Sequence, residues 1–146
     1  MKYLLILLLS ISLNAAGFWT LTGLKKANVY VKNELSLVKP ETIVNIKEKM
    51  AEALKNHGIL IGQQDSPTLM LSLEELSNDE TYYIYVKLAL GEEVQTFRKD
   101  KSATFALTYE ASDFVEFELE DIDQGVLESV DFLLSQFSEH YEEDNE

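Results

Sequence analysis

The sequence predicts an α+β two-layer sandwich in the order β-α-β-β-β-α, with a mixed four-stranded sheet carrying two helices on one face. Two stretches repeat their apolar residues at three- and four-residue steps, as helices with one buried stripe do. Other runs alternate apolar with polar residues, as strands resting one face on a core do. Both stripes and one continuous strand face need covering, and a layer of helices on a sheet satisfies them together.

The first strand runs over about Ala27–Asn33, where Val29 and Val31 alternate with Asn28, Tyr30 and Lys32. The first helix opens at Pro40, whose missing N–H is harmless in a first turn, with Glu41 placed to suit the helix dipole. Its stripe is Ile43, Ile46, Met50, Ala53, Leu54 and His57, and Gly58 is a natural stop.

Three strands follow. Leu69, Leu71 and Leu73 share one face of the first, and Ser77 to Glu80 turns the chain. Tyr82, Ile84, Val86, Leu88 and Leu90 share one face of the second, with a bend expected at Gly91 and continuation through Val94 and Phe97. Lys99-Asp100-Lys101 makes a polar turn. In the third, Ala103, Phe105, Leu107 and Tyr109 are assigned inward. After a polar break at Glu110–Asp113, Val115, Phe117 and Leu119 point inward against Glu116, Glu118 and Glu120 outward.

The second helix is expected to start at Asp121, in a capping box with Gln124, and its stripe is Ile122, Val126, Val130, Leu133, Leu134, Phe137 and Tyr141. A crossover through the first helix sets the first strand parallel to its partner, and the other strands form an antiparallel meander.

The chain opens with Lys2, an apolar run from Tyr3 to Leu13, and the small-residue zone Asn14-Ala15-Ala16-Gly17, which is the order of a cleavable secretory signal. Ala15 and Gly17 suit a cut before Phe18. The predicted organisation is therefore a signal over 1–17, one α+β domain over 18–141 and a disordered acidic tail over 142–146, with a periplasmic destination. The alternative is a retained N-terminal anchor extended through Phe18-Trp19-Thr20-Leu21. With no cysteine in the chain, neither lipidation at the signal nor a disulfide or thiolate site is available.

Net charge is −14 and unevenly spread: residues 1–101 hold 12 acids and 12 bases, whereas 102–146 hold 14 acids and no Lys or Arg. Such a surface repels phosphate backbones and anionic headgroups, so it argues against nucleic acid and against direct membrane binding once the signal is removed. It suits a basic protein partner.

From Val29-Tyr30-Val31 to the end of the second helix, the element order resembles small periplasmic adaptor domains of the TolB N-terminal and lipopolysaccharide-assembly lipoprotein type. The chain departs from that pattern in lacking the lipid-carrying Cys and a following propeller. The resemblance implies a protein-binding role and carries over no residue.

Nothing in the sequence matches a nucleophile elbow, a zinc-protease motif, a phosphate loop or a dinucleotide fingerprint, so no catalytic residue, cofactor or metal is assigned. His57 belongs to a buried stripe, where it packs or caps a helix end. His140 with Glu143 is an i, i+3 pair in an acidic tail, a weak chelator. Asp121, Asp123 and Gly125 imitate a calcium loop, but Ile122 occupies a ligand position. Glu116, Glu118 and Glu120 stand about 7 Å apart along a strand, too far for a one-ion cage but suited to a basic partner as an acidic patch.

The face of the sheet turned from the helices reads Tyr30, Met70, Ser72, Tyr83, Tyr85, Lys87, Thr104, Ala106 and Thr108, with Lys87 as its single charge. Tyrosine supplies rigid area and a hydroxyl at small entropic cost, which favours an interface. Tyr30, Met70, Tyr83, Tyr85, Lys87, Thr104 and Thr108 are therefore the candidate contact residues. The function expected is a non-enzymatic exported binding or adaptor protein that meets a protein partner or its own copy. The alternative is a carrier with a pocket for a small ligand or cation between sheet and helices.

Overall fold

The computed structural model describes residues 20–77, 82–116 and 121–146. The predicted signal, the turn at Asn78–Glu80, and Phe117 to Glu120, including Glu118 and Glu120 of the acidic patch, lie outside these residues. The elements are β1 (Asn28–Asn33), α1 (Pro40–Asn56), β2 (Thr68–Ser77), β3 (Tyr82–Gln95), β4 (Ala103–Glu116) and α2 (Ile122–Asn145), in the predicted order β-α-β-β-β-α. The sheet order is β1-β2-β3-β4. β1 runs parallel to β2, with Val29 beside Leu69 and Val31 beside Leu71, and the remaining pairs are antiparallel.

One face of this sheet meets the helices. Leu69, Leu71 and Leu73 of β2 and Ile84, Val86 and Leu88 of β3 have no exposed surface, and neither do Ile46, Met50 and Leu54 of α1 or Val126, Val130, Leu133 and Phe137 of α2. Burying each such side chain stabilises the fold by about 1.5–3 kcal/mol, so this layer dominates the favourable terms. Val31 and Leu90 close it at its ends.

The third predicted strand needs correction. β4 runs unbroken through Glu110–Asp113, because Ala111 and Asp113 pair with Leu88 and Val86. Its register shifts where Leu90 faces Tyr109 while Gly91 faces Leu107, leaving Thr108 as the extra residue of a β-bulge. An inserted residue reverses the side-chain alternation beyond it. Tyr109, Ala111 and Val115 therefore face the helices, but Phe105 and Leu107 turn to the opposite face. Thr104, Ala106 and Thr108, assigned to that opposite face from simple alternation, leave it: Thr104 and Ala106 share the helix-side face with Val94 and Glu92, and the Thr108 hydroxyl donates to Glu92 Oε1 at 2.6 Å. Phe105 is 63% exposed, with its ring against Gly91 and Met70, where a Cβ on residue 91 would collide with it.

The helix ends differ from expectation in two places. Asp121 is the N-cap of α2 but makes no side-chain capping bond, and Gln124 instead donates to Glu128 at 2.8 Å. The capping carboxylate is Asp123, and it serves the other helix. It accepts from the Lys39 N–H at 3.0 Å and the buried Thr42 hydroxyl at 2.6 Å, with the Lys39 ammonium 3.3 Å away. Burial pushes the Asp123 carboxyl upward, but those three partners outweigh it and hold the group below its ordinary value.

At the far end, α2 continues to Asn145, so residues 142–145, expected in a disordered tail, are helical. They hold the segment before β1. The Leu21 N–H donates to Asp144 Oδ2 at 2.7 Å, the Gly23 N–H to Asn145 Oδ1 at 2.8 Å, and the Tyr141 hydroxyl to the Leu24 carbonyl at 3.1 Å.

Candidate functional site: the uncovered sheet face

Four strands with helices on one side leave the other side open. Register places Tyr30 of β1 beside Met70 of β2, Met70 opposite Ala89, Ser72 opposite Lys87, Glu74 opposite Tyr85 and Leu76 opposite Tyr83. On β4, Phe114 stands opposite Tyr85, Glu116 opposite Tyr83 and Ser112 opposite Lys87. Phe105 and Leu107 join this face through the bulge.

The outcome is a more apolar surface than simple alternation predicts. Register puts Tyr30, Met70, Tyr83, Tyr85 and Lys87 on this face, and Thr104 and Thr108 off it. Phe114, Phe105 and Leu76 take part although the sequence did not single them out for it. Phe114 follows from the parity of β4 beyond the bulge, and Leu76 from the parity of Met70 and Ser72. Phe105 needs the bulge itself, for which Gly91 was the one signal. Tyr30, Leu76, Phe105 and Phe114 are each about half exposed or more, and monomeric surfaces seldom gather large apolar groups in this way.

Geometry fixes part of this surface. The Tyr85 and Phe114 rings lie 4.9 Å apart at 36°, a cross-strand aromatic pair that stiffens both side chains. Lys87 is not the single charge here, since Glu74, Glu110 and Glu116 share the parity of its neighbours. Glu116 is exposed and adjoins Tyr83 across the strands. The face thus combines aromatic area with carboxylates at its margin, which suits a partner presenting apolar side chains and cations.

The other candidate groups do not converge. His57 closes the end of α1 and lies 4.7 Å from the Tyr141 ring. His140 is exposed on α2, with Nδ1 3.4 Å from the Tyr109 hydroxyl. Tyr109 is buried against Phe137 edge to face at 5.5 Å, and burial pushes its phenol up to about 12. Asp123, part of the imitation calcium loop, is committed to Lys39 and Thr42. Among the described residues no group of three or more His, Asp or Glu is arranged to hold a metal ion, and no helix is long and apolar enough to cross a membrane.

Two clefts occur at one end of the sheet rather than between sheet and helices. One of 320 Å³ is lined by Leu21, Lys25, Leu90 and Glu92 among others, and one of 490 Å³ by Asp65, Ser66, Glu93 and Phe105 among others.

No known protein family's sequence profile matches the chain. No curated protein matches it either. Among solved structures, the chain is similar to a minor lipoprotein from Acinetobacter baumannii, at 11% identity over 80% of this chain and 91% of that one, with a TM-score of 0.36. It is also similar to a PelC variant from Paraburkholderia phytofirmans, solved as a dodecamer, at 18% identity over 74% of this chain and 86% of that one, with a TM-score of 0.39. Both are distant likenesses in chain path.

Proposed function

We propose that this chain is a non-enzymatic exported binding or adaptor protein whose uncovered sheet face docks a protein partner or a second copy. One observation carries the proposal: two helices cover one side of the sheet, while on the other Leu76 and Phe114 stand exposed beside Tyr83 and Tyr85, with Tyr30 and Phe105 exposed farther along the same face. Leaving that apolar area in water forgoes about 25 cal/mol for every Å² that a partner would cover. Glu74, Glu110 and Glu116 add a preference for a cationic partner and repel acidic ones. The carrier alternative lacks comparable support, because Leu71, Val86, Met50 and Val130 already fill the space between sheet and helices with no exposed surface.

Tyr85→Thr with Phe114→Thr tests the proposal, since both side chains lie outside the core and threonine suits a strand, so the unfolding midpoint should fall only by the small contribution of their cross-strand contact. Interface aromatics of this kind contribute about 2 kcal/mol or more each, so losing both should weaken association by about two to three orders of magnitude. Sedimentation velocity reads self-association, and cross-linking in the native compartment reads a partner. A parent that is monomeric and whose cross-linked partners persist unchanged in the variant would sink the proposal.

A further inference from the structure

β2 ends its pairing where Thr68 faces Gly91, but β3 and β4 continue together from Glu92 opposite Ala106 to Gln95 opposite Ala103. Those four pairs form a two-stranded ribbon that leaves the sheet and extends by about 14 Å before its turn. The turn is well tied. The Thr96 N–H donates to the Ser102 carbonyl at 2.9 Å, the Lys101 N–H to the Arg98 carbonyl at 2.9 Å, and Gln95 Nε2 to the Lys101 carbonyl at 3.1 Å. Lys101 sits at φ +45°, the left-handed geometry a tight turn demands.

At this tip Phe97 is 109% exposed, a bare aromatic ring held out by an ordered turn. Beside it are Arg98, Lys99 and Lys101, and no ion pair among the described residues involves them. Asp100 is the tip's one acid, so its charge is +2 on a chain of net charge −14. The ribbon extends the tip by more than one Debye length, about 10 Å at 0.1 M salt, from the end of the four-stranded sheet, with Glu92 and Glu93 as the acids on the ribbon itself. A surface approaching the tip therefore meets cations rather than the average charge.

The segment before β1 meets the root of the same ribbon. The Thr20 N–H donates to the Thr108 carbonyl at 2.8 Å, at the bulge.

We propose that the β3–β4 ribbon tip docks on a bilayer surface of anionic lipids, with Phe97 entering the headgroup region and Arg98, Lys99 and Lys101 meeting the phosphates. A single aromatic wedge among cations is how a small loop binds such an interface, and each cation close to the surface is worth about fivefold in partitioning. An acidic protein would satisfy the cations but would need its own pocket for the ring. The tip lies beyond Gln95 and Ala103, whereas Tyr85 and Phe114 lie toward the other end of β3 and β4, so variants at the two places read the two functions separately; Phe105, where the open face meets the ribbon, is left unchanged in both.

The probe is Phe97→Trp combined with Trp19→Phe, which makes position 97 the one tryptophan, in protein purified after expression of the whole chain. Vesicles of phosphatidylglycerol and phosphatidylcholine should shift its emission to the blue, and vesicles of phosphatidylcholine alone should not. Replacing Arg98, Lys99 and Lys101 by Gln should weaken binding about a hundredfold, with an unchanged unfolding midpoint as the control for folding. A retained N-terminal segment would bring the protein to both vesicle types, but emission from position 97 still reports only the tip. Unchanged emission with anionic vesicles, or an equal shift with neutral ones, would overturn the proposal, as would a shift produced by polyglutamate and not by lipid. None of these outcomes alters the self-association measured for the Tyr85 and Phe114 variant.

Discussion

Replacing Asp123 by Ala should destabilise the domain by about 2–4 kcal/mol. The magnitude follows from the groups the carboxylate leaves behind. The Thr42 hydroxyl, 5% exposed, loses a charged acceptor at 2.6 Å, a loss of about 1.5–3 kcal/mol. The Lys39 N–H loses its cap, but Lys39 is exposed and water replaces the bond, so about 0.5–1 kcal/mol follows. The Lys39 ammonium is 65% exposed and contributes little, well under 1 kcal/mol once screened. Adding Thr42→Val removes the orphaned hydroxyl, so the double variant should be less destabilised than the two single losses summed, by about 1 kcal/mol. Acidity supplies a second readout. The Asp123 carboxyl titrates below its unfolded value of about 3.9, so its contribution is complete above that pH and is lost as pH falls through the folded value. Urea unfolding followed by circular dichroism at about pH 7 and about pH 3 should show the gap between parent and variant narrowing in acid. A gap below about 0.5 kcal/mol at neutral pH, one that does not change in acid, or strict additivity with Thr42→Val would refute the assignment.

Two further outcomes follow from the core. Tyr109 is held neutral by burial and its phenol lies at about 12, so its stabilising effect is complete below about pH 10 and is lost as pH rises from there through 12. Phenolate absorbance should show one tyrosine ionising late, in step with alkaline unfolding, whereas every tyrosine titrating near 10 in folded protein would contradict the burial. Gly125→Ala should not bring the roughly 1 kcal/mol that helix propensity alone offers, because a Cβ there would come within 2.9 Å of Val115 Cγ1. Thermal unfolding should show a destabilised protein, partly rescued by Val115→Ala; a stabilised single variant would contradict the close packing of α2 on β4.

Local patterns made much of this architecture legible. The stripe of α1, the alternation of β2 and β3 and the Pro40 start depend on neighbours a few residues away, and they appear as predicted. Apart from the capping box, where Gln124 bonds Glu128 instead, the misplacements involve partners outside the local pattern. One unpaired residue in β4 exchanged Thr104 and Thr108 for Phe105 and Leu107 on the open face, and alternation within a strand carries no record of such an insertion. Gly91 marked the place without revealing the reversal. Asp123 looks like part of its own helix start, yet its hydrogen bonds go to Lys39 and Thr42, more than 80 residues earlier. Asp144 and Asn145 look like a solvated tail because their partners, Leu21 and Gly23, are more than 120 residues away. For the candidate site, the tyrosines were visible in sequence, whereas the aromatic pair of Tyr85 with Phe114 required the register.

The bonds between the last turn of α2 and residues 21–24 also bear on the order in which the chain completes itself. A polypeptide leaving a ribosome, or threading a pore with its N-terminus first, exposes Leu21 long before Asp144. The Leu21 N–H then has no partner at that end until Asp144 has emerged, 123 residues later, and closing the intervening loop is an entropically demanding step. The segment at the root of the projecting ribbon is consequently among the last to be fixed, and early stages of synthesis or passage leave the domain open at that corner.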